Sequence, residues 1–385
     1  MPVTRRLILK LIFAFSMANT ACAKAMSHIT SLQLIIESPW MANQVAISQK
    51  GLVFLGLPRY SAKYTTPSLA RQSADGTLKP FPGNHWNDWQ PGDDGRHAFV
   101  YLNSVHIFAD ETVWCVDQGS LSAGIFGQQY ATPAPDAQKV VQLDASSGEI
   151  LQILRFNDQI LPAGAQMNDL RFHGSKMYIS DSGLGGIIIH DLQSGETLRR
   201  LSGMSVVKAS DKAPPAMLAH IKGGKTFHPP NSDMIEITAD GNWLYWAAPN
   251  GPLYRVQTRY LYDASLSDQQ LAHYVEAVYD NNFSGGCAMD SAGNVYFSET
   301  ATHNITVWSP QGKSAILVSD PRLIRPDGSF ISPDRYLYIP VKQPMSPSAS
   351  VPTFAVYRVA LPKNLEGISL GQAVTGQVTA SNPDS

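Results

Sequence analysis

Residues 168–181 read Asn168-Asp169-Leu170-Arg171-Phe172-His173-Gly174-Ser175-Lys176-Met177-Tyr178-Ile179-Ser180-Asp181. A polar start leads into an apolar alternating strand, a His-Gly-Ser turn, and a second strand of aromatic and β-branched residues, which is the pattern of a β-hairpin. The same block recurs along the chain. Asn43–Ser48 precedes Leu52–Leu55, Asn103–Phe108 precedes Val113–Asp117, and Ser232–Ile237 precedes Trp243–Trp246. Gly285–Asp290 is then followed by Val295–Ser298, and Pro326–Ile331 by Tyr336–Ile339. The turns between the paired strands are rich in Gly, Asp and Asn.

Successive copies lie roughly 40 to 65 residues apart, enough for a four-stranded blade with its loops. A third strand-like run follows several hairpins, as in Val140–Leu143, Gly186–His190 and Leu253–Val256. Six copies predict a single-domain, all-β, six-bladed β-propeller over residues 30–362, closed on itself so that no long sheet edge remains. A β-sandwich also has regular strands and turns, but it does not call for the same block six times. One helix is expected near Ser267-Asp268-Gln269-Gln270-Leu271, with Ser267 as its N-cap. Ala62–Gly95 and Ser202–Pro230 read as long excursions that cover or wall the pore. Residues 363–385 read as a C-terminal tail.

The chain has 385 residues, of which 44% are hydrophobic and 16% charged, so it can bury a sizeable core. Its formal charge is −2 without any basic block, which argues against nucleic acid or an anionic membrane as a partner. Arg5 and Arg6, the apolar run Leu7–Met17 and the small residues Ala21-Cys22-Ala23 predict an export signal over residues 1–23. Thr4–Lys10 also resembles a twin-arginine signal. Cleavage there leaves 26 basic against 31 acidic residues and a mature charge of −5. No later run is long and apolar enough to span a bilayer, so a periplasmic or secreted protein is expected. Cys115 and Cys287 fall three blades apart and are expected to be free, buried thiols.

Further residues carry a resemblance. Phe54–Arg59, Val113–Gly119, Asn168-Asp169-Leu170 and Tyr178-Ile179-Ser180-Asp181-Ser182-Gly183 are followed in order by Leu253–Val256, Leu266-Ser267-Asp268, Gly293–Phe297 and Pro321–Asp327. This series is similar to the yellow / major royal jelly protein family in its bacterial branch. The resemblance implies a six-bladed, usually secreted propeller. The family includes biogenic-amine binders, proteins implicated in dopachrome conversion, and structural or nutritive proteins, so it implies a fold more firmly than an activity. The chain departs from the family pattern where Met234 follows Asp233 and where Ser329-Phe330 follow Asp327-Gly328.

In a propeller the innermost strands converge on the pore. The residues that begin them are therefore the candidate ligand-binding set: Asn43, Asn103, Asn168, Asp169, Asp233 and Asp327. Asn168, Asp233 and Asp327 are oxygen ligands of the type that suits Ca²⁺ or Mg²⁺. Asp169 and Asp233 are candidate proton shuttles. A structural reading stands beside these, because Asp and Asn at strand starts also cap turns. A distantly similar family, the regucalcin / gluconolactonase lactonases, uses a Glu near the start of the first blade, where this chain has Asn43. No G-x-S-x-G elbow, H-E-x-x-H helix or phosphate-binding glycine loop occurs, and no two histidines stand at ligand spacing. His228 and Trp86 lie in the long excursions and could wall a pocket. The sequence leaves two functions open at one pore: binding of an aromatic or amine-bearing small molecule, or catalysis by a dopachrome-type tautomerase or a metal-dependent lactonase-like hydrolase. Oligomeric state is not legible.

Overall fold

The computed structural model describes residues 31–58, 66–108, 110–119, 136–210, 229–342, 345 and 353–374. The export signal, residues 375–385 of the tail, and His228 lie outside the described residues. The chain starts with β1 (Gln33–Ser38), which belongs to the last blade. Blade one is β2 (Gln44–Ile47), β3 (Val53–Gly56), β4 (Leu69–Gln72) and β5 (Leu78–Pro80). Blade two is β6 (Leu102–Ile107), β7 (Thr112–Asp117), β8 (Lys139–Asp144) and β9 (Ile150–Leu154). Blade three is β10 (Met167–His173), β11 (Lys176–Asp181), β12 (Gly186–Asp191) and β13 (Thr197–Arg200).

Blade four is β14 (Met234–Ile237), β15 (Trp243–Ala247), β16 (Leu253–Gln257) and β17 (Glu276–Tyr279), with short helices α1 (Thr258–Leu261) and α2 (Asp268–Ala272) before its last strand. Blade five is β18 (Ser284–Met289), β19 (Val295–Glu299), β20 (Asn304–Trp308) and β21 (Ser314–Ser319). Blade six is β22 (Phe330–Ile331), β23 (Tyr336–Pro340) and β24 (Phe354–Ala360), completed by β1 from the other end of the chain. That antiparallel pairing closes the ring and ties its two ends together, with β1 as the outer strand of the last blade.

All six predicted hairpins are present, as are the third strands at β8, β12 and β16. Ser267 caps α2 through a capping box with Gln270. Ala62–Gly95 is not one long excursion, because it contains β4 and β5. These strands have four and three residues and read Leu69-Ala70-Arg71-Gln72 and Leu78-Lys79-Pro80, without the apolar run of the hairpin strands, and the outer one carries Lys79 and Pro80, residues that suit an edge. Within the stretch read as a tail, Asn364–Leu365 (β25) pairs with Ile368–Ser369 (β26). Leu365, Ile368 and Leu370 join the apolar core between blades five and six.

Aromatic rings fill the wedges between blades; Phe172, for example, meets Phe108 at 4.6 Å and Trp114 at 4.8 Å across blades two and three. A second device repeats at the ends of second strands. Asp181 takes the backbone N–H groups of Gln166 and Gly183 and pairs with Arg199 at 2.5 Å. Asp117 does the same for Val100, Tyr101 and Gly119, and pairs with fully buried Lys139 at 2.8 Å. The most recognisable sequence motif, around Asp181, thus clamps a loop. Cys115 and Cys287 are free and buried.

Candidate functional site

The inner strands β2, β6, β10, β14, β18 and β22 run side by side down the axis, so their first residues meet at one mouth of the pore. Local irregularities aim those residues inward. In blades two, three and five the inner strand carries one residue more than its partner, between Leu102 and Ser104, Met167 and Leu170, and Ser284 and Cys287. Such bulges turn a side chain out of the sheet, here Asn103 and Asn168. Blade five offers Gly285-Gly286 at this level. A Cβ on Gly286 would lie 2.7 Å from Gly328, and one on Gly328 would lie 2.8 Å from Gln44, so blades five, six and one close to backbone contact on this side.

The side chains of the other blades form a directed file. Asn43 donates from Nδ2 to the carbonyl of Asn103 at 3.1 Å and to its Oδ1 at 3.4 Å. Asn103 donates to Oδ1 of Asn168 at 2.9 Å, and Asn168 donates to Oδ1 of Asp233 at 2.5 Å. At the head of the file, Lys342 lies 3.5 Å from Oδ1 of Asn43 and is ion-paired with Asp327. Every amide therefore presents its oxygen toward the ammonium and its N–H groups toward Asp233.

Below this ring the pore is stoppered. Asp169 accepts from Gln44 at 3.3 Å and pairs with Arg171 at 2.9 Å. Arg171 forks onto Glu236 with bonds of 3.0 and 2.7 Å, and the Cys287 thiol lies 3.8 Å from the same carboxylate. Under that pair a cavity of about 30 Å³ is lined by His106, Phe172, Phe330 and Val374 among others, room for a water or two. Among the described residues the mouth is a polar cup with a salt-bridged floor.

Electrostatics distinguish the carboxylates. Asp233 stays partly exposed to the cup yet is surrounded by protein. That desolvation, with Asp327 and Asp169 nearby, raises its pKa to about 8 against the opposing pull of Lys342 and the Asn168 bond. Burial also raises Asp327 and Glu236, with Lys342 and Arg171 respectively opposing the rise. His106 is held well below its usual value by burial and then by Arg171. Among the described residues, Asp233 makes no ion pair, whereas Asp169, Glu236 and Asp327 each have one.

The predicted residues thus fall into three groups. Asn43, Asn103, Asn168 and Asp233 share one file, Asp327 joins it through Lys342, and Asp169 faces the floor. Gln44, Arg171, Glu236 and Lys342 were not anticipated. The first three continue the inner strands already singled out, but Gln44, Arg171 and Glu236 stand one or three residues after Asn43, Asn168 and Asp233, so alternation alone does not give their inward facing; nothing local marks Lys342. Asn168, Asp233 and Asp327 do not fit a divalent cation as they stand. Asp327 holds an ammonium, and the oxygens of Asn168 and Asp233 that meet their neighbours accept N–H bonds. Among the described residues no three His, Cys, Asp or Glu side chains gather as a metal-ligand set. Trp86 is buried against Phe99 and does not wall the cup.

Residues 104–317 match the family model described as major royal jelly protein. No curated protein matches the chain. The calcium-binding protein regucalcin from Agrobacterium tumefaciens strain C58 superposes with a TM-score of 0.52 at 13% identity, covering 91% of this chain and 96% of its own. A gluconolactonase from Xanthomonas campestris gives a TM-score of 0.53 at 11% identity, with 88% and 92% covered. A luciferin-regenerating enzyme gives 0.53 at 9% identity, with 91% and 100% covered. At these identities the likeness is one of fold.

Proposed function

The chain belongs to the major royal jelly protein family, and on that premise we propose that it binds a small, amine-bearing molecule in the cup at the pore mouth, with Asp233 receiving the ammonium. The observation that carries this reading is the lone carboxylate. Asp233 stands at the end of the Asn43–Asn103–Asn168 file with one amide bond and no cation partner among the described residues. A ligand ammonium supplies that partner, and charge-assisted bonds of this type are about twice as strong as neutral ones. The described aromatic rings nearest the axis, Phe108, Phe172 and Phe330, line the cavity under the floor. Export of the protein to the periplasm or outside the cell, through the signal at residues 1–23, is part of the same proposal; mass spectrometry of the mature N-terminus tests it.

Binding has a proton signature. The free carboxyl is raised to about 8, so at neutral pH it carries a proton that the incoming ammonium displaces. Titration calorimetry with n-butylamine and phenethylamine, in two buffers of different ionisation enthalpy, is the test. The expected result is saturable binding of both amines with release of close to one proton, lost in Asp233→Asn. No heat from either amine, or equal heat from the variant, refutes the assignment. The same raised carboxyl favours a second reading, proton shuttling by a tautomerase, since a group titrating near the working pH is suited to it. Turnover of an oxidised catechol that Asp233→Asn abolishes would put catalysis first.

A further inference from the structure

We propose that Lys342 is the resident cation of the pore mouth and that it keeps Ca²⁺ and Mg²⁺ out of a ring otherwise rich in oxygen ligands. Asn43, Asn168, Asp233 and Asp327 are carboxylates and carboxamides converging from four blades, the donor chemistry of a hard divalent ion. The positive charge there belongs to the chain itself. Lys342 is ion-paired with Asp327, and the two side chains are 15% and 6% exposed. It also lies 3.5 Å from Asn43 Oδ1, across the seam where blade six meets blade one.

The lysine is held in place by its backbone. Its N–H bonds to Arg325 at 3.1 Å, the neighbouring Val341 N–H bonds to Ala355 at 3.1 Å, and Asp327 N–H bonds to Pro340 at 3.1 Å. Pro326 and Val341 form an antiparallel bridge. Lysine and aspartate are thus fixed by the same pair of segments. The amides follow its polarity: an oxygen of Asn43 faces the ammonium, and each later amide passes that orientation on to Asp233. A dication at this mouth would have to displace the ammonium from Asp327 and Asn43, whose oxygens it already occupies. On the amine-binding reading, Lys342 also limits the cup to one added positive charge, beside Asp233.

The test is titration of CaCl₂ and of MgCl₂ into chelator-treated protein, followed by calorimetry and thermal melting. Wild type is expected to show no saturable binding up to millimolar Ca²⁺ and an unchanged Tm. Lys342→Met keeps the length of the stem without the charge. It is expected to bind Ca²⁺ at least tenfold more tightly than wild type, with a rise in Tm that an added Asp327→Asn removes. Lys342→Arg, which keeps the charge, should behave as wild type. Submillimolar Ca²⁺ binding by wild type overturns the proposal whatever the variants do, as does a folded Lys342→Met protein with no gain. Lys342→Gln gives the same comparison if the Met variant does not fold. The calcium titrations succeed or fail independently of the amine titrations, so the two readings are separable.

Discussion

Asn168 donates from its Nδ2 to Oδ1 of Asp233 across 2.5 Å, and this bond ends a file of amides whose first member, Asn43, faces Lys342. The file fixes where the amides point and leaves one carboxylate to face the cup.

Asp233 should make the fold less stable as pH rises. Its native carboxyl titrates at about 8, whereas an unfolded aspartate titrates near 4. Between those values the native state holds a proton that the unfolded state has lost, so stability falls with increasing pH, by at most about 1.4 kcal/mol per pH unit. Asp233→Asn removes this contribution and keeps an oxygen for Asn168. Urea unfolding at pH 5, 7 and 8.5 should show the variant gaining on wild type as pH rises; a constant difference would place the titration elsewhere.

Amine affinity should depend on the file as well as on the carboxylate. Asn103 is buried and gives both of its Nδ2 bonds to Asn168, while its own carbonyl accepts from Asn43. Asn103→Leu leaves the Oδ1 of Asn168 without that donor and frees the amide to turn away from Asp233. Leaving such a group unpaired costs about 1–3 kcal/mol, so amine binding should weaken by tenfold or more with the far-ultraviolet spectrum unchanged. Equal affinity would mean that Asp233 is held without the file.

The six hairpins were legible because their information is local: two short apolar runs, with inner strands of two to seven residues, around a Gly, Asp or Asn turn, repeated six times. The ring of first residues followed from the repeat. Lys342 did not, because it follows a second strand and stands 299 residues from the Asn43 that it faces. Only ring closure brings them together. The bulges that turn Asn103 and Asn168 inward were likewise hidden, since a bulge is defined by the partner strand. β4 and β5 lack the apolar run that marks the other strands.

Lys139 and Asp117 form an ion pair with both side chains fully buried. The lysine also donates to the carbonyls of Gly95 and Ala137. Lys139→Met would bury an uncompensated carboxylate beside two vacated carbonyls, a loss of about 3–5 kcal/mol. Urea denaturation checks it; a loss below about 1 kcal/mol would mean that the backbone N–H groups on Asp117 suffice.

Asp181 provides the sharpest contrast with Asp233, because it sits in the motif by which the family is most easily recognised and yet is fully buried in a loop clamp. Its carboxylate accepts N–H groups from Gln166, Gly183 and Leu184 and pairs with Arg199, which is itself nearly buried. Asp181→Ala strands that guanidinium and three backbone donors, so the expected loss is on the order of 3–5 kcal/mol. Amine affinity of the remaining folded protein should stay within about twofold of wild type, since no bond joins Asp181 to the file. Asp233→Asn is expected to do the reverse, keeping the fold and losing the ligand. Comparing the pair by melting and calorimetry separates a recurring structural clamp from a binding carboxylate. If Asp181→Ala abolished binding in a protein with an undiminished Tm, the assignment of roles would have to be exchanged.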